Sequence, residues 1–345
     1  MFLEEEKIIN FSMECLKKVN IKEKDARIIT ETMLVADYRQ IHSHGFLRLP
    51  IYIERIKKKF INVNPDIKNI QNNSSLSLMD GDYGPGQIVG TEAMKNSILK
   101  AKQNKLGLTI VKNSNHFGIA AYYASLAAKE NMIGITISNS EPLMPAIGGA
   151  EKIIGNNPIA IAAPTKNMPV LLDMALSNVP LGKILAAKSN GISVPKGWGV
   201  DKYGEETTNP DKIIDDGFLS PMAGPKGFGL ALLTEIITGV ISGGQYSKNI
   251  PLMYDLQDKQ SLSHFMLALD PSFFMSFDDY LTRVEDLISI IKKSKKSSNE
   301  EDLFIPGEIE FLKEKTNQNK GVPMNDNLID ELNKLAQSLE LKIRL

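Results

Sequence analysis

Along residues 3–58 apolar side chains return at helical spacing, first as Ile8, Ile9, Phe11, Cys15 and Leu16 and then as Ile28, Ile29, Met33, Leu34 and Val35. The pattern predicts three helices, with Pro50 inside the third or at its start. Between 75 and 175 the apolar runs shorten and alternate with helical stretches: 76–79, 108–111, 133–137, 159–162 and 170–172 read as strands of a sheet-bearing region. Residues 227–241 leave almost no polar face and predict a buried, central helix. The stretch 292–302 is polar and changes charge sign midway, which predicts a solvated loop or helix end. Leu328, Ile329, Leu332, Leu335 and Leu339 predict a last amphipathic helix over 326–339.

Length divides this pattern further, because 345 residues exceed the usual size of one hydrophobic core. We assign 1–72 to the N-terminal part of a helical lobe, 73–255 to the sheet-bearing region and 256–345 to a C-terminal part that partly returns to the helical lobe. Forty basic against forty-one acidic residues create no field that would draw nucleic acid or an anionic membrane, and neither partner is expected. Cys15 is the only cysteine, so an intramolecular disulfide is impossible and helix packing is its expected role. The N-terminal residues lack the basic start and apolar run of a signal peptide, and no stretch reads as a membrane span, so a cytoplasmic location is expected.

Only four histidines are available for proton chemistry near neutral pH: His42, His44, His116 and His264. His116 follows the strand at 108–111 beside Asn113, Ser114 and Asn115, at a strand-end turn where functional side chains collect; capping or packing that turn is the alternative. His264 lies in a run that reads as a buried strand. Ser43 and His44 precede Arg48 by about one helical turn, and a guanidinium fork suits a carboxylate, although a surface ion pair is the common fate of arginine. The glycines of residues 80–90 miss the dinucleotide fingerprint, since the third falls one position late and Pro85 stiffens the turn, so that loop reads as structural. Before the apolar helix, Gly224, Pro225, Lys226 and Gly227 can offer backbone N–H groups and an ammonium to a pyrophosphate.

In order, Ser43-His44-Gly45 with Arg48, Asp80-Gly81 with Gly84-Pro85-Gly86, Asn115-His116-Phe117-Gly118, Gly155-Asn156-Asn157-Pro158, Asp173-Met174-Ala175, Pro195-Lys196-Gly197-Trp198, Lys226-Gly227-Phe228-Gly229 and Pro306-Gly307-Glu308 resemble the malate/L-lactate dehydrogenase family from about residue 37 to 321. The resemblance implies an α+β (mixed α/β), non-Rossmann fold: an NAD(P)-binding lobe with a largely antiparallel sheet, and a helical lobe built from both chain ends. It implies a homodimer that uses NAD or NADP to interconvert a small-molecule 2-hydroxy acid and its 2-oxo acid, with L-malate as the leading substrate. It further implies His116 as acid/base, Ser43 and His44 as a proton relay, and Arg48 and Asn156 as substrate ligands, with Lys259 at a further substrate position. The implied cofactor contacts are His116, Phe117, Gly118, Ile119, Ala120, Met174, Ala175, Leu176, Pro225, Lys226, Pro306, Gly307 and Glu308. The chain departs from the common pattern at His42 for aspartate, Asn156 and Leu176 for threonine, and Pro225 for an aromatic residue. Ser140 and Lys259 stand where ureidoglycolate enzymes carry lysine and arginine, which disfavours that substrate. Reduction of cyclic imine carboxylates, L-lactate or sulfolactate oxidation, and a catalytically silent nucleotide sensor are the alternatives.

Overall fold

The computed structural model describes residues 1–299 and 302–345. Helices α1 (Glu5–Lys18), α2 (Glu23–Tyr38) and α3 (Leu49–Lys57) occupy the N-terminal region. Glu5 and Glu6 open α1 and Lys17 and Lys18 close it, so its charges complement the helix dipole. Pro50 falls in the first turn of α3, where its missing N–H would have no partner in any case. The later helices are α4 (Gly86–Asn104), α5 (Ala120–Lys129), α6 (Leu181–Ser189), α7 (Pro210–Asp215), α8 (Pro225–Glu235), α9 (Phe277–Lys293), α10 (Glu308–Lys320) and α11 (Asp326–Ser338).

Ile8, Phe11, Leu16, Ile29 and Met33 share one core with Leu328, Leu332 and Ala336, so both chain ends build the helical lobe. A short ladder pairing Phe2–Leu3 with Val322–Pro323 fastens the two ends together. Cys15 sits in this core, and burial pushes its thiol up to about 12, which makes it a packing residue.

The central sheet has seven strands: β1 (Lys68–Asn72), β2 (Leu76–Asp80), β3 (Leu106–Ser114), β4 (Ile133–Ser138), β5 (Ile159–Ala163), β6 (Val170–Met174) and β7 (Leu262–Leu269). Their spatial order is β1-β2-β3-β7-β4-β5-β6. Among the described residues only the β2–β3 pair of this sheet is parallel, in agreement with the largely antiparallel expectation. Two details modify the sequence-based division. The sheet begins at Lys68, inside the segment assigned to the helical lobe, because Lys-Asn-Ile-Gln-Asn is an exposed edge strand without apolar alternation. Strand β7 returns from the C-terminal third to the middle of the sheet. Met94, Val111, Tyr123, Ala160 and Met266 join α4 and α5 to the sheet face they cover.

The expected buried helix at 227–241 is corrected. It is α8 followed by a π-turn at Ile236–Val240, and Leu233, Ile236, Val240 and Ile241 are 57%, 43%, 49% and 62% exposed. Only the side carrying Ala231, Thr234 and Thr238 is buried. Hydrophobicity all round a helix says that both faces are to be covered, and among the described residues only one is.

Candidate active site

His116 lies in the short connection between β3 and α5, and the glycine-rich loop supports it from below. The Asn115 amide donates to the carbonyls of Tyr83 and Gly84 at 2.8 and 3.0 Å. A Cβ on Gly86 would stand 2.1 Å from the Asn115 carbonyl oxygen and 2.5 Å from that of His116, so only glycine lets the first turn of α4 approach this connection. Phe117 turns inward and stacks between Tyr123 and His264, with ring centroids 4.7 and 4.5 Å away. His264 itself bonds Ser138 Oγ and Ser114 Oγ, both at 2.8 Å, and burial pushes it down to about 3; it is a satisfied core histidine.

The second half of the cluster is held by a buried carboxylate. Asp37, at the end of α2, accepts the Phe46 N–H at 2.8 Å and bonds His42 Nδ1 at 2.7 Å, pinning the turn on both sides of Ser43-His44-Gly45. A Cβ on Gly45 would fall 2.1 Å from this carboxylate. Burial raises the Asp37 pKa, while the bonds from His42 and Phe46 oppose the rise. Ser43 Oγ and His44 Nδ1 are 2.8 Å apart, and the His44 ring stacks on His116 at 5.4 Å with 24° between planes. Tyr52, on α3, places its hydroxyl 2.7 Å from His116 Nδ1. The Gly118 N–H points at the same nitrogen from 3.4 Å. With the Gly118 N–H donating, Nδ1 accepts and the resting ring carries its proton on Nε2; when Nδ1 carries a proton instead, the Tyr52 hydroxyl oxygen can accept it. Burial raises the Tyr52 pKa, which keeps its hydroxyl protonated as the second donor. Burial first, then the charges of Arg48, His44 and His264, hold His116 well below an ordinary histidine; burial and Arg48 push His44 down to about 3.

Arg48 adjoins this pair. Its Nε donates to the Ser43 carbonyl at 2.6 Å, and Nη1 donates to Tyr254 Oη at 2.8 Å. Behind it Arg55 is fully buried and donates to the carbonyls of Met253 and Asp258 at 3.0 and 2.9 Å. Glu141 receives the Gln260 amide at 2.8 Å; burial raises its pKa against the opposing charge of Arg48. Asn156 accepts a 2.9 Å bond from Ser140 Oγ. Lys259, expected at a further substrate position, holds its ammonium 4.2 Å from the centre of the Tyr83 ring, and it lines a groove with Lys18, Lys57 and Asp82.

The segments expected to contact a cofactor converge on β6. The Ala121 N–H, in the first turn of α5, donates to Asp173 Oδ2 at 3.0 Å; the Leu171 N–H donates to the Pro306 carbonyl at 2.9 Å; and the Met222 N–H, just ahead of α8, donates to the Leu176 carbonyl at 2.9 Å. Desolvation pushes Asp173 up to about 6. A dinucleotide fits this arrangement physically, because α5 and α8 both begin here and a Cβ on Gly118 or Gly224 would meet nothing within 4 Å, leaving room at two helix N-termini. Gly118, Met174, Ala175, Pro225, Lys226, Pro306 and Gly307 border this region. Several of the expected cofactor contacts are buried or already bonded. Phe117, Ile119 and Ala120 are at most 3% exposed, so only their backbone can take part. Leu176 is fully buried, and its N–H and carbonyl are spent on Asn156 and Met222. Glu308 is engaged by Lys292 and by the Ile305 N–H, and so closes the start of α10.

The pattern of the malate/L-lactate dehydrogenase family matches residues 3–333. The chain belongs to that family. It is 40% identical to a malate dehydrogenase of Pyrococcus abyssi, over 98% of this chain and 94% of the relative. It is 38% identical to an L-sulfolactate dehydrogenase of Methanocaldococcus jannaschii, over 99% and 98%. The crystal structure of malate dehydrogenase from Entamoeba histolytica superposes with a TM-score of 0.95 at 30% identity, covering 100% of this chain and 99% of that one. Membership agrees with the expected oxidoreductase class and with the antiparallel, non-Rossmann sheet. No helix among the described residues is long and apolar enough to cross a membrane.

Proposed function

We propose that this dehydrogenase uses NAD or NADP to interconvert L-malate and oxaloacetate. The observation that supports this most is the stacking of His44 on His116 with the Arg48 charge acting on both rings, since an imidazole able to exchange a proton and a guanidinium able to take a carboxylate are then close together. Bound cofactor would supply or accept the hydride at the substrate carbon, held by Gly118, Met174 to Ala175, Pro225 to Lys226 and Pro306 to Gly307. Arg48 orients the 2-oxo acid through its carboxylate, and the amide nitrogen of Asn156 donates to a further oxygen. Reduction of the carbonyl builds alkoxide charge that must be neutralised as it forms. Protonated on both nitrogens, His116 delivers the Nε2 proton to the forming alkoxide and is left neutral with its proton on Nδ1, held by the Tyr52 oxygen as acceptor; in alcohol oxidation that tautomer takes the proton back at Nε2. Ser43 and His44 return that proton to solvent.

A second reading, sulfolactate as substrate, is supported by the near-equal identity to the sulfolactate relative. The test is the absorbance of NADH and of NADPH with oxaloacetate, sulfopyruvate, pyruvate and a cyclic imine carboxylate. Fastest turnover of oxaloacetate is expected; preference for sulfopyruvate selects the second reading, and turnover of the imine acid alone overturns both. Inactivity on all four would favour the nucleotide sensor.

The bare apolar side of α8 and its π-turn is the kind of surface that a second copy covers, so we also propose a homodimer. Light scattering at micromolar concentration is expected to give twice the chain mass of 38.2 kDa, and a monomer throughout would contradict it.

A further inference from the structure

We propose that Tyr254 is an affinity-setting cap on Arg48, whose phenol oxygen holds the guanidinium until a substrate carboxylate displaces it; this rests on the reading of Arg48 as the carboxylate ligand. A guanidinium offers a carboxylate a paired edge, and on Arg48 the edge containing Nε is already spent on the Ser43 carbonyl at 2.6 Å. The Nη1/Nη2 side remains, where Nη1 donates to the Tyr254 oxygen at 2.8 Å and reaches Met253 Sδ at 3.7 Å, so a carboxylate that pairs with this side competes with the phenol for Nη1. The arginine carbon also lies 5.7 Å from the centre of the Tyr254 ring, so the side chain covers the cation as well as bonding it.

The base of the cap is rigid and its tip is free. Met253 is 2% exposed within the helical-lobe core, and the fully buried Arg55 ties the carbonyls of Met253 and Asp258 together. Tyr254, between these anchors, is 61% exposed, and its bond to Arg48 is its only hydrogen bond among the described residues. Displacement therefore requires rotation of one side chain with no opening of the loop. It also means that every incoming carboxylate competes with a built-in ligand, so apparent affinity falls below what Arg48 alone would give.

The experiment titrates oxamate, an unreactive carboxylate analogue of a 2-oxo acid, into the NADH-saturated enzyme by calorimetry, for wild type, Tyr254→Phe, Arg48→Lys and the double variant. Tyr254→Phe keeps the ring and removes only the competing oxygen, so oxamate Kd is expected to fall about two- to tenfold, as one net hydrogen bond implies, with KM falling in parallel and kcat within about twofold. In the Arg48→Lys background the same change is expected to have no effect. A Kd that rises in Tyr254→Phe makes the hydroxyl a substrate ligand and overturns the cap, and an unchanged Kd overturns it too. If Arg48→Lys itself leaves Kd unaltered, the carboxylate reading of Arg48 fails, and the cap fails with it; weakening by Arg48→Lys without tightening by Tyr254→Phe sinks the cap alone.

Discussion

Replacing His116 by asparagine is expected to lower kcat about 10²–10⁴-fold, the usual worth of a positioned acid/base group, while NADH affinity measured by fluorescence stays near wild type. Asparagine is the informative choice because its Oδ1 can take the place of Nδ1 and still accept from the Tyr52 hydroxyl and the Gly118 N–H, which are 2.7 and 3.4 Å from that nitrogen. The connection should keep its shape and lose only the group that exchanges protons. The pH dependence gives the sign. In the empty site burial, and then Arg48, hold His116 well below an ordinary histidine, so it is neutral at neutral pH. Alcohol oxidation needs the neutral ring with Nε2 open and its proton on Nδ1 against the Tyr52 oxygen, so kcat/KM in that direction should persist as pH falls, until the depressed pKa is reached. Reduction needs the protonated ring, and its kcat/KM should decline as pH rises through the same value. A substrate carboxylate seated on Arg48 offsets the second of those causes, so the pKa read from kcat should lie above the one read from kcat/KM. Equal pKa values in the two profiles, or near-wild-type kcat in His116→Asn, would transfer the role to His44.

The residues legible in the sequence are those whose partners are close along the chain. Ser43, His44 and Arg48 fall within two short turns, and His116 follows a strand that its apolar run announces. Tyr52 was within reach of the same reasoning, since it stands four residues after Arg48 and shares its side of the helix, yet an isolated aromatic there reads as core. Asp37 carries no pattern of its own; its importance arises from burial and from the glycine that lets the turn close upon it. Arg55 and Tyr254 depend on contacts spanning about two hundred residues, which no local period reports. The same limit applies to the direction of single side chains. Adjacency within a motif identifies Phe117 and Leu176 but not the direction in which each faces, and both point into the core. The apolar run at 227–241 likewise cannot say whether its second face meets this chain or another.

Arg48→Lys separates charge from geometry. A lysine keeps the positive charge and loses the planar fork, and charge-assisted hydrogen bonds of this kind contribute about 1.5–3 kcal/mol, so KM for the 2-oxo acid is expected to rise roughly ten- to hundredfold. The effect on kcat should be smaller but present, because Arg48 Nε also holds the Ser43 carbonyl at 2.6 Å, and an ammonium cannot serve that carbonyl and the substrate in the same way. The His44 ring would then lose one brace on its neighbour, while Asp37 continues to hold the turn through the Phe46 N–H and His42. Cofactor affinity is expected to stay level, since the segments that converge on β6 make no bond to Arg48 among the described residues. Steady-state kinetics in the direction of reduction, with NADH binding measured separately, resolves these quantities. Unchanged KM would remove Arg48 from the substrate site, whereas a loss of NADH affinity equal to the rise in KM would show that the substitution disturbs the whole cleft and leaves the carboxylate without an assigned partner.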